Sequence, residues 1–571
     1  MQEYQRWLEK AASNEEIFQE LKAIAGHTEE IRDRFYRELE FGTGGLRGVL
    51  GAGTNRMNVY TVGKATQGLS HYLKRTFATP SVAIAYDSRI HSDLFAVTAA
   101  TIFAANGIAV HLYPRLMPTP ALSFAVRDLK CSGGVVITAS HNPAKYNGYK
   151  VYGPDGCQIT TQAAKEIQKE IDAVDPFEDV RRMDFGTAVA RGQIINIDED
   201  MINRYLAAVG TTSVLPEGID QSFSIVYTPL NGTGVSCVPR CLKEHGFTRL
   251  IMPEEQDHPD GHFPTCPYPN PEIREALDIG LQLAQSTKSD LLLATDPDCD
   301  RVGAAVREDG KYTLITGNEM GVLLFDFICK MRMANGTMPE NPIAVKTIVT
   351  TPMAAKIAEH YGVELIDVLT GFKFIGEQIG RLEAQGRRDS FVFGFEESYG
   401  YLSGPYVRDK DGVGAACLIC EMFSFYASRG ISLLDRLHEL YGIYGYCLNT
   451  LHSYTFDGSA GFAKMQAVMQ ALRAGVASFG GKKVLRLTDY AAGLDGLLIT
   501  DEKNQRYAAG FPFTDGAVLV GREKAWLITD SFWRTAARSW RAPPAPNPSS
   551  NSTSPSAGKA GKRRRRQSKR S

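Results

Sequence analysis

Short runs of apolar, β-branched residues alternate with helix-like patterns along most of this chain. Residues 82–86 and 108–112 have the composition of strands, and residues 93–105 between them carry the periodicity of a helix. This order is typical of a βαβ unit in a mostly parallel sheet. Further strand-like runs lie at residues 223–227, 290–294, 343–345 and 391–393. The pattern therefore predicts several α/β domains.

Length and composition change this picture little. The chain has 571 residues, of which 43% are hydrophobic and 22% are charged, as in a soluble globular protein of three or four domains. No apolar stretch approaches the roughly 20 residues of a membrane helix, and the amino-terminal residues lack a secretory signal pattern. We therefore expect a cytoplasmic protein without membrane partners.

The cysteines are spread out and form no dense framework. Cys417 and Cys420 have the Cys-x-x-Cys spacing once, but they lie in an apolar stretch, which favours a buried helix face over a metal site. We expect free thiols.

The first candidate for chemistry is Ser140, which follows the strand-like run 133–137 and precedes the turn signal Asn142-Pro143. This position, at the carboxyl end of a strand, is where open α/β sheets place their ligand crevices. A serine there can act as a nucleophile if a base or a phosphoryl group activates it. Taken alone, the segment is equally compatible with a polar turn.

The second candidate is a group of three carboxylates at alternate positions, Asp296, Asp298 and Asp300, directly after the apolar run 291–294. Acids this close repel one another unless a cation lies among them. Oxygen-only ligands at a strand end favour Mg²⁺ over zinc. The sequence therefore predicts a magnesium site.

Two other acidic motifs compete with this interpretation. An EF-hand loop requires glycine and glutamate at its sixth and twelfth positions, where this chain has Arg301 and Arg307. The nucleophilic aspartate of haloacid-dehalogenase-type phosphatases is followed by glycine and then threonine or valine, whereas Cys299 and Asp300 stand here. We reject the first alternative and disfavour the second.

Two further segments are weak signals when each is taken singly. Residues 41–48 form a glycine-rich stretch around Arg47, and residues 394–400 contain Glu396 and Ser398. Glycine-rich loops often serve only to turn the chain, and a Glu-Glu-Ser sequence is equally compatible with an exposed loop. These segments become informative only when they are considered together with the other motifs, in their order along the chain.

In that order, these motifs closely resemble the α-D-phosphohexomutase superfamily, in its long phosphoglucomutase and phosphopentomutase branch. The resemblance extends from about Trp7 to about Val520 and includes residues 227–234, 370–376 and 408–412. It implies three similar α/β domains with mixed sheets and a distinct, incomplete C-terminal α+β domain around a central cleft. The expected divisions are residues 1–210 with the phosphoserine loop, 211–318 with the metal loop, 319–440 with the sugar-binding loops, 441–535 as an altered phosphate-binding domain, and 536–571 as a disordered basic tail.

The resemblance also implies a reaction, the interconversion of glucose 1-phosphate and glucose 6-phosphate. Phosphorylated Ser140 would donate its phosphoryl group to the sugar, and the resulting glucose 1,6-bisphosphate, also the expected activator, would turn over and return its other phosphate. The implied Mg²⁺ ligands are Ser140, Asp296, Asp298 and Asp300, with Arg301 nearby. Catalysis would then consist mainly of positioning and charge neutralisation.

Matching to the family assigns further roles. Lys150 is the first candidate for a general acid or base, and Arg47 and Lys410 are its catalytic partners. A lysine acts as a base only if burial or neighbouring cations lower its pKa, and a solvated loop lysine is the ordinary alternative. The candidates for substrate binding are His141, Gly371, Phe372, Lys373, Glu396, Ser398 and Arg408.

Other functions stay open at this point. Phosphopentomutase and phosphomannomutase are the nearest alternatives, and glucose is favoured because residues 394–400 look most like the phosphoglucomutase form. A phosphatase and an inactive phosphosugar binder are more distant alternatives. The expected partner is a small phosphosugar, whereas nucleic acid is disfavoured because the chain outside the basic tail is acidic.

The resemblance stops within its last motif. After residues 515–520, family members continue with an Arg-Pro-Ser-Gly-Thr loop that grips the non-reacting phosphate, but residues 521–526 read differently and no Ser-Gly-Thr occurs in the chain. Residues 541–571 are rich in proline and serine and end in basic residues, which predicts disorder. A functional basic arm, an inert extension and a shifted reading frame could each explain this end, and we favour the last. Weak phosphosugar binding and low activity are expected, with the serine and metal site still assembled.

Overall fold

The fold begins with three short helices that pack around Trp7, which is fully buried. A computed structural model describes residues 1–42, 44–449, 453–455, 458–475, 477–479, 482–483, 488–489, 497–499, 517–520 and 524–528. The three helices are α1 (Gln2–Lys10), α2 (Glu15–Ala23) and α3 (Thr28–Phe35). They cover one end of the first α/β domain through ring contacts of Trp7 with Tyr60 and Phe177.

The first domain is built on a six-stranded mixed sheet with the strand order β1-β5-β4-β2-β3-β6. Its strands are β1 (Leu46–Val49), β2 (Ser81–Tyr86), β3 (Ala109–Leu112), β4 (Gly133–Ile137), β5 (Tyr146–Tyr152) and β6 (Ile194–Asn196). Its helices are α4 (Val59–Thr76), α5 (Ser92–Ala105), α6 (Thr119–Asp128), α7 (Thr161–Asp172), α8 (Phe185–Ala190) and α9 (Glu199–Gly210). Strand β4 is buried at every position, as expected for a strand with both faces covered.

The second domain has a five-stranded sheet with the order β11-β10-β9-β7-β8, parallel at one side and antiparallel at the other. Its strands are β7 (Ile225–Thr228), β8 (Leu250–Ile251), β9 (Leu291–Thr295), β10 (Val302–Glu308) and β11 (Lys311–Ile315). Its helices are α10 (Val238–Glu244) and α11 (Asp278–Thr287), with 3₁₀ turns at Thr233–Ser236 and Arg274–Leu277.

The third domain has a four-stranded sheet with the order β13-β12-β14-β15. Its strands are β12 (Ile343–Thr347), β13 (Glu364–Val368), β14 (Phe391–Glu396) and β15 (Gly400–Leu402). Its helices are α12 (Gly317–Ala334), α13 (Met353–Tyr361), α14 (Phe372–Ala384), α15 (Gly412–Ala427) and α16 (Leu433–Tyr444), with a 3₁₀ turn at Arg388–Ser390.

The described elements of the C-terminal part are one helix and two small sheets. They are β16 (Ser453–Thr455), α17 (Gly458–Arg473), β17 (Ser478–Phe479), β18 (Lys482–Lys483), β19 (Thr488–Asp489), β20 (Leu497–Ile499), β21 (Ala517–Val520) and β22 (Lys524–Ile528). The larger sheet has the order β16-β22-β21-β20-β19 and is antiparallel throughout. The predicted basic tail, residues 536–571, lies outside the described residues.

Three α/β domains with mixed sheets are confirmed. The strand-like runs of the sequence lie in β2, β3, β7, β9, β12 and β14, and the helical pattern of residues 93–105 lies in α5. The domain boundaries near 210, 318 and 440 stay predictions. Among the described residues, no helix combines the length and apolar character needed to cross a membrane.

Candidate active site

Ser140 lies in the hairpin loop that joins β4 to β5, at the carboxyl end of β4 as predicted. Its backbone has a φ of 51°, in the left-handed region, and its N–H donates to the Thr138 hydroxyl at 2.8 Å. The Ser140 hydroxyl donates to Asp296 Oδ2 at 2.7 Å and lies 3.2 Å from His141 Nδ1. The turn therefore aims the hydroxyl at the acidic loop of the second domain.

Arg89, which no sequence pattern indicated, holds the backbone of this hairpin loop. Its buried guanidinium donates to the carbonyls of Ser140, Asn142, Pro143 and Tyr146, at 2.5 Å to Ser140 and 2.9–3.0 Å to the last two. One side chain thus satisfies four carbonyls of a single loop. The carbonyls that it binds lie more than 50 residues away in sequence, so no local pattern predicts this contact. Its position directly after strand β2 could have marked Arg89 as a candidate site residue.

The three aspartates lie in the loop between β9 and β10 and are almost completely buried. One carboxylate oxygen from each lies within 4.8 Å of the others. Oδ1 of Asp298 and Oδ1 of Asp300 are buried without a hydrogen-bond partner. An all-oxygen set with buried, unsatisfied acceptors fits a hard divalent cation such as Mg²⁺.

The acidic loop is held by the first and third domains together. Thr119 at the start of α6 donates from its N–H to the Asp298 carbonyl at 2.9 Å and from its hydroxyl to Asp298 Oδ2 at 3.1 Å. From the other side, Gly412 N–H donates to the Cys299 carbonyl at 3.2 Å. A Cβ on Gly412 would lie 2.7 Å from that carbonyl, so this approach requires glycine.

Two lysines oppose the acids. Lys150 lies on β5, in register with Val136 of β4, and its ammonium donates to Asp298 Oδ2 at 2.7 Å and lies 3.5 Å from Asp300 Oδ2. The Lys410 ammonium lies 3.0 Å from Asp300 Oδ2. Burial alone would lower the pKa of each lysine, but the aspartates more than offset burial and raise it. The aspartates thus favour the protonated form of both lysines, and the role of Lys150 as acid or base stays a prediction.

The pKa values of two of the three aspartates are shifted in opposite directions. Burial, reinforced by repulsion from Asp298 and Asp300, raises the pKa of Asp296 well above its usual range. For Asp298, burial is outweighed chiefly by Lys150, and the pKa is lowered. The site thus combines closely spaced negative charge with fixed ammonium groups, which suits the binding of a cation and a phosphoryl group.

The two predicted arginines flank this centre differently. Arg301 follows the acidic loop directly, and its guanidinium donates to Glu272 Oε1. Burial opposes the charge of Arg301, but Glu272 and Asp300 raise its pKa, so it remains cationic. Arg47 lies on β1, opposite Gly148 of β5, with its side chain exposed.

Two of the predicted sugar-binding residues meet directly at the end of the third sheet. Glu396 ends β14 and accepts a hydrogen bond from Gly371 N–H at 3.0 Å, where Gly371 has a φ of 117°. Burial, partly offset by Lys410, raises the pKa of Glu396 to about 7. Ser398 is half-buried in the loop that follows β14.

Phe372 and Lys373 open helix α14 directly after Gly371. The Lys410 ammonium lies 6.0 Å from the centre of the Phe372 ring, while Lys373 is half-buried. The two predicted specificity loops are therefore neighbours in space and share Lys410 with the acidic centre.

Arg408 occupies a different position. Its side chain is fully buried, its Nη2 lies 2.6 Å from Glu383 Oε2, and it also donates to the carbonyls of Pro405 and Val407. Burial lowers its pKa to about 10. In this structure Arg408 braces α14 rather than facing the acidic centre, and its assignment to substrate binding stays a prediction.

Comparison with known families agrees with this arrangement. Models for the α/β/α domains I, II and III of phosphoglucomutase/phosphomannomutase match residues 38–177, 203–310 and 316–444. A phosphoglucomutase of Staphylococcus aureus strain MSSA476 is 35% identical over 488 residues, covering 85% of this chain and 86% of the relative. The chain belongs to the phosphoglucomutase/phosphomannomutase family. It is an intramolecular phosphotransferase of the isomerase class, as the motifs predicted.

Another relative and two solved structures are also similar to this chain. The phosphoglucomutase of Staphylococcus saprophyticus is 35% identical over 469 residues, covering 81% of this chain and 84% of the relative. A putative phosphomannomutase structure from Thermus thermophilus superposes with a TM-score of 0.63 at 22% identity, covering 86% of this chain and 95% of that one. The open form of Paramecium parafusin superposes with a TM-score of 0.61 at 18% identity, covering 87% and 92%. The two structures show a shared phosphohexomutase fold.

The C-terminal segment matches a second family. A model for the creatinase/prolidase N-terminal domain matches residues 485–548, which include residues 515–520, the predicted start of the last mutase motif. The match begins before residue 521, so the three explanations for the C-terminal end stay open. This mutase chain therefore carries sequence similar to another family where the resemblance was seen to stop.

Proposed function

We propose that this family member is a phosphoglucomutase that interconverts glucose 1-phosphate and glucose 6-phosphate through a phosphorylated Ser140. The observation that carries the proposal is the 2.7 Å contact between the Ser140 hydroxyl and Asp296 within a buried acidic loop faced by two ammonium groups. Relatives at 35% identity over most of the chain bear the name phosphoglucomutase. Glucose 1,6-bisphosphate is the proposed intermediate and activator.

In the forward half-reaction, a sugar hydroxyl attacks the phosphorus carried by Ser140. The bond between phosphorus and Ser140 Oγ breaks as the bond to the sugar oxygen forms, and the hydroxyl proton replaces the phosphoryl group on the serine. Mg²⁺ bound by Ser140, Asp296, Asp298 and Asp300 would supply charge neutralisation at the transferring group. The same exchange in reverse, with the other phosphate of the bisphosphate, restores phosphoserine and releases the isomer.

The lysines and arginines of the site supply fixed positive charge for this transfer. The neighbouring aspartates raise the pKa of Lys150 and Lys410 and so favour their protonated form. We therefore assign Lys150 the role of acid and electrostatic stabiliser rather than base. Arg301 and Arg47 extend the positive rim, with His141 beside the serine. Fixed charges of this kind need no reorganisation when the phosphoryl group moves.

Sugar recognition is assigned to the loops of the third domain. The carboxylate of Glu396 can accept hydrogen bonds from two neighbouring sugar hydroxyls, with Ser398 beside it. Gly371, Phe372 and Lys373 lie next to it at the start of α14, and Arg408 supports this helix through Glu383. Because both sugar orientations must fit these loops, the hydroxyls rather than either phosphate set the specificity.

The deciding experiment is an assay of glucose 1-phosphate conversion with Mg²⁺ and a trace of glucose 1,6-bisphosphate. Ser140→Ala should abolish formation of glucose 6-phosphate, while Ser286→Ala on the exposed face of α11 should leave it unchanged. Mannose and pentose phosphates are assayed in parallel. Faster turnover of one of these, or release of inorganic phosphate without isomerisation, would replace the proposed function with the corresponding mutase or phosphatase.

A further inference from the structure

A second cluster of potential ligands lies away from the acidic loop, where a helix of the second domain packs against a helix of the third. Cys241 on α10 and His245 at its C-terminal cap meet Cys417 on α15, and one ligand atom of each lies within 4.8 Å of the others. Cys241 and Cys417 are buried, and His245 is half-buried. The potential partner of Cys417 in a metal site is therefore Cys241, which is distant in sequence, and not Cys420 of the Cys-x-x-Cys spacing.

The ligand spacing is close to that of a tetrahedral metal site. Cys241 Sγ lies 3.8 Å from His245 Nδ1. Zinc bonds of about 2.3 Å to sulfur and about 2.0 Å to nitrogen, at a tetrahedral angle, would place these two atoms about 3.5 Å apart. His245 Nδ1 also lies 2.8 Å from the Cys241 carbonyl, and this hydrogen bond would be exchanged for the metal bond.

A buried carboxylate lies beside the three ligands, next to Cys417 but outside the group whose ligand atoms are all within 4.8 Å of one another. Glu421 follows Cys417 by one helical turn, is 2% exposed, and its Oε1 lies 4.0 Å from Cys417 Sγ. Its Oε2 accepts a hydrogen bond from Val214 N–H at 3.0 Å. Among the described residues, no lysine or arginine pairs with Glu421, and its basic neighbour is His245. Each helix thus presents a cysteine and a second ligand residue four positions later.

We infer that Cys241, His245, Cys417 and Glu421 form a binding site for a borderline-soft divalent metal such as Zn²⁺, separate from the magnesium site and located between the second and third domains. Thiolate and imidazole ligands select zinc over the hard cations that suit the aspartate loop. With Glu421 turned toward the metal as the fourth ligand, the site leaves no open position for a substrate, and its role is structural. It would fasten α10 to α15, which begins two residues after Lys410.

The test uses Co²⁺ as a probe, since cobalt bound by thiolates shows a near-ultraviolet charge-transfer band that carboxylate ligands do not produce. The full-length protein is stripped of metal, kept reduced and titrated with Co²⁺ in excess Mg²⁺ to fill the aspartate loop. A single saturating band is expected, and added Zn²⁺ should displace it. No thiolate band in the wild-type protein would overturn the proposal without any variant.

Variants locate the site. Cys417→Ser and His245→Gln should each lose or strongly weaken the band, whereas Cys329→Ser, at a buried cysteine of α12 outside the cluster, should retain it. His245 is half-buried, so His245→Gln remains informative if Cys417→Ser does not fold. A band of undiminished intensity in both Cys417→Ser and His245→Gln would place the cobalt elsewhere and refute the assignment.

Discussion

At the scale of single residues, the candidate active site is a balance of buried charges. Asp296, Asp298 and Asp300 are buried together, and Lys150, Lys410 and the adjoining arginine oppose them at close range. Buried ion pairs add little net stability, but removing one partner is costly because the other charge is left uncompensated. The residues of this centre should therefore be strongly interdependent.

Lys150 gives a direct test of this balance. Lys150→Met leaves Asp298 without its ammonium, and we expect a loss of about 3 kcal/mol of stability in EDTA, by analogy with other broken buried pairs. Added Mg²⁺ should restore more of the apparent Tm in this variant than it adds to the wild-type protein, because the cation replaces the missing charge. Thermal melts in EDTA and in Mg²⁺ measure both effects.

Lys145→Met is the matched control, since Lys145 lies in the hairpin loop that leads into β5 and is exposed. Its apparent Tm should stay within the range of ordinary surface substitutions. Equal Tm values for Lys150→Met and wild type in EDTA would show that Lys150 does not balance the buried aspartates.

Glu396 makes the proposed sugar binding dependent on pH. Because burial raises its pKa to about 7, Glu396 is protonated below neutral pH and ionised above it. The ionised form is the better acceptor for sugar hydroxyls, so kcat/KM should fall by about tenfold per pH unit below about pH 7. Glu396→Gln should have low kcat/KM without this dependence.

The measurement is kcat/KM from about pH 5.5 to about pH 9 for wild type, Glu396→Gln and Glu377→Gln, the last at a partly exposed position of α14. Glu377→Gln should keep the wild-type profile. An unchanged acidic limb in Glu396→Gln would assign that limb to another group, including the substrate phosphate, and remove Glu396 from the pH dependence.

At the scale of elements, local patterns were enough to predict most of the parallel strands and the acidic loop, because the deciding residues are contiguous. Strand β5 is not predicted from the sequence, because Asn147, Gly148 and Lys150 interrupt its apolar pattern. For the same reason, a loop position is the ordinary expectation for Lys150. These residues are buried only because β1 and β4 pair with β5 on both sides. Such pairing is a tertiary effect that periodicity does not report.

Arg89 was missed for a related reason, and it supports an element-scale prediction. One planar guanidinium serves four carbonyls of the Ser140 loop, a geometry that a lysine ammonium does not reproduce. Arg89→Lys should therefore lower kcat by on the order of 100-fold through misplacement of the serine, with KM changed much less. Steady-state kinetics of this variant measure kcat and KM separately.

Arg115→Lys, at an exposed arginine paired with Glu199, controls for the substitution itself and should keep wild-type kinetics. Circular dichroism of Arg89→Lys separates a displaced loop from a failure to fold. Wild-type kcat in folded Arg89→Lys would show that the loop holds its shape without this side chain.

At the scale of the whole molecule, the active site depends on contacts between domains. Glu383 on α14 pairs with Arg127 of α6 and with buried Arg408, which links the first and third domains. Burial opposes ionisation, but the two arginines lower the pKa of Glu383 to about 2. The stability that this carboxylate contributes is thus fully present above the unfolded-state pKa of about 4.5 and is lost as pH falls toward 2.

Glu383→Gln should accordingly destabilise the protein most above about pH 4.5. The carboxylate is 39% exposed, so the expected loss is about 1 kcal/mol. The difference in apparent Tm between wild type and Glu383→Gln should shrink between about pH 5 and about pH 3.5. A difference that is independent of pH would mean that packing, and not the charge of Glu383, joins the two domains.

The chain differs from the mutase family models after residue 444. The mutase models end at residue 444, a creatinase/prolidase model begins at residue 485, and the sequence lacks the Ser-Gly-Thr motif that the resemblance led us to expect in a phosphate-binding loop. Binding energy at a remote phosphate positions the reacting end, so its loss should lower kcat/KM. Replacing residues 445–571 with the corresponding segment of the Staphylococcus aureus relative should raise kcat/KM for glucose 1-phosphate by on the order of 100-fold.

The same replacement in a Ser140→Ala background should remain inactive, which shows that any gain passes through the resident serine and not through the added segment. Inorganic phosphate as a competitive inhibitor gives an independent measure, because it should bind the chimera more tightly than the original chain if a phosphate subsite has been restored. Equal kcat/KM and equal inhibition for both chains would mean that residues within 1–444 already anchor the second phosphate.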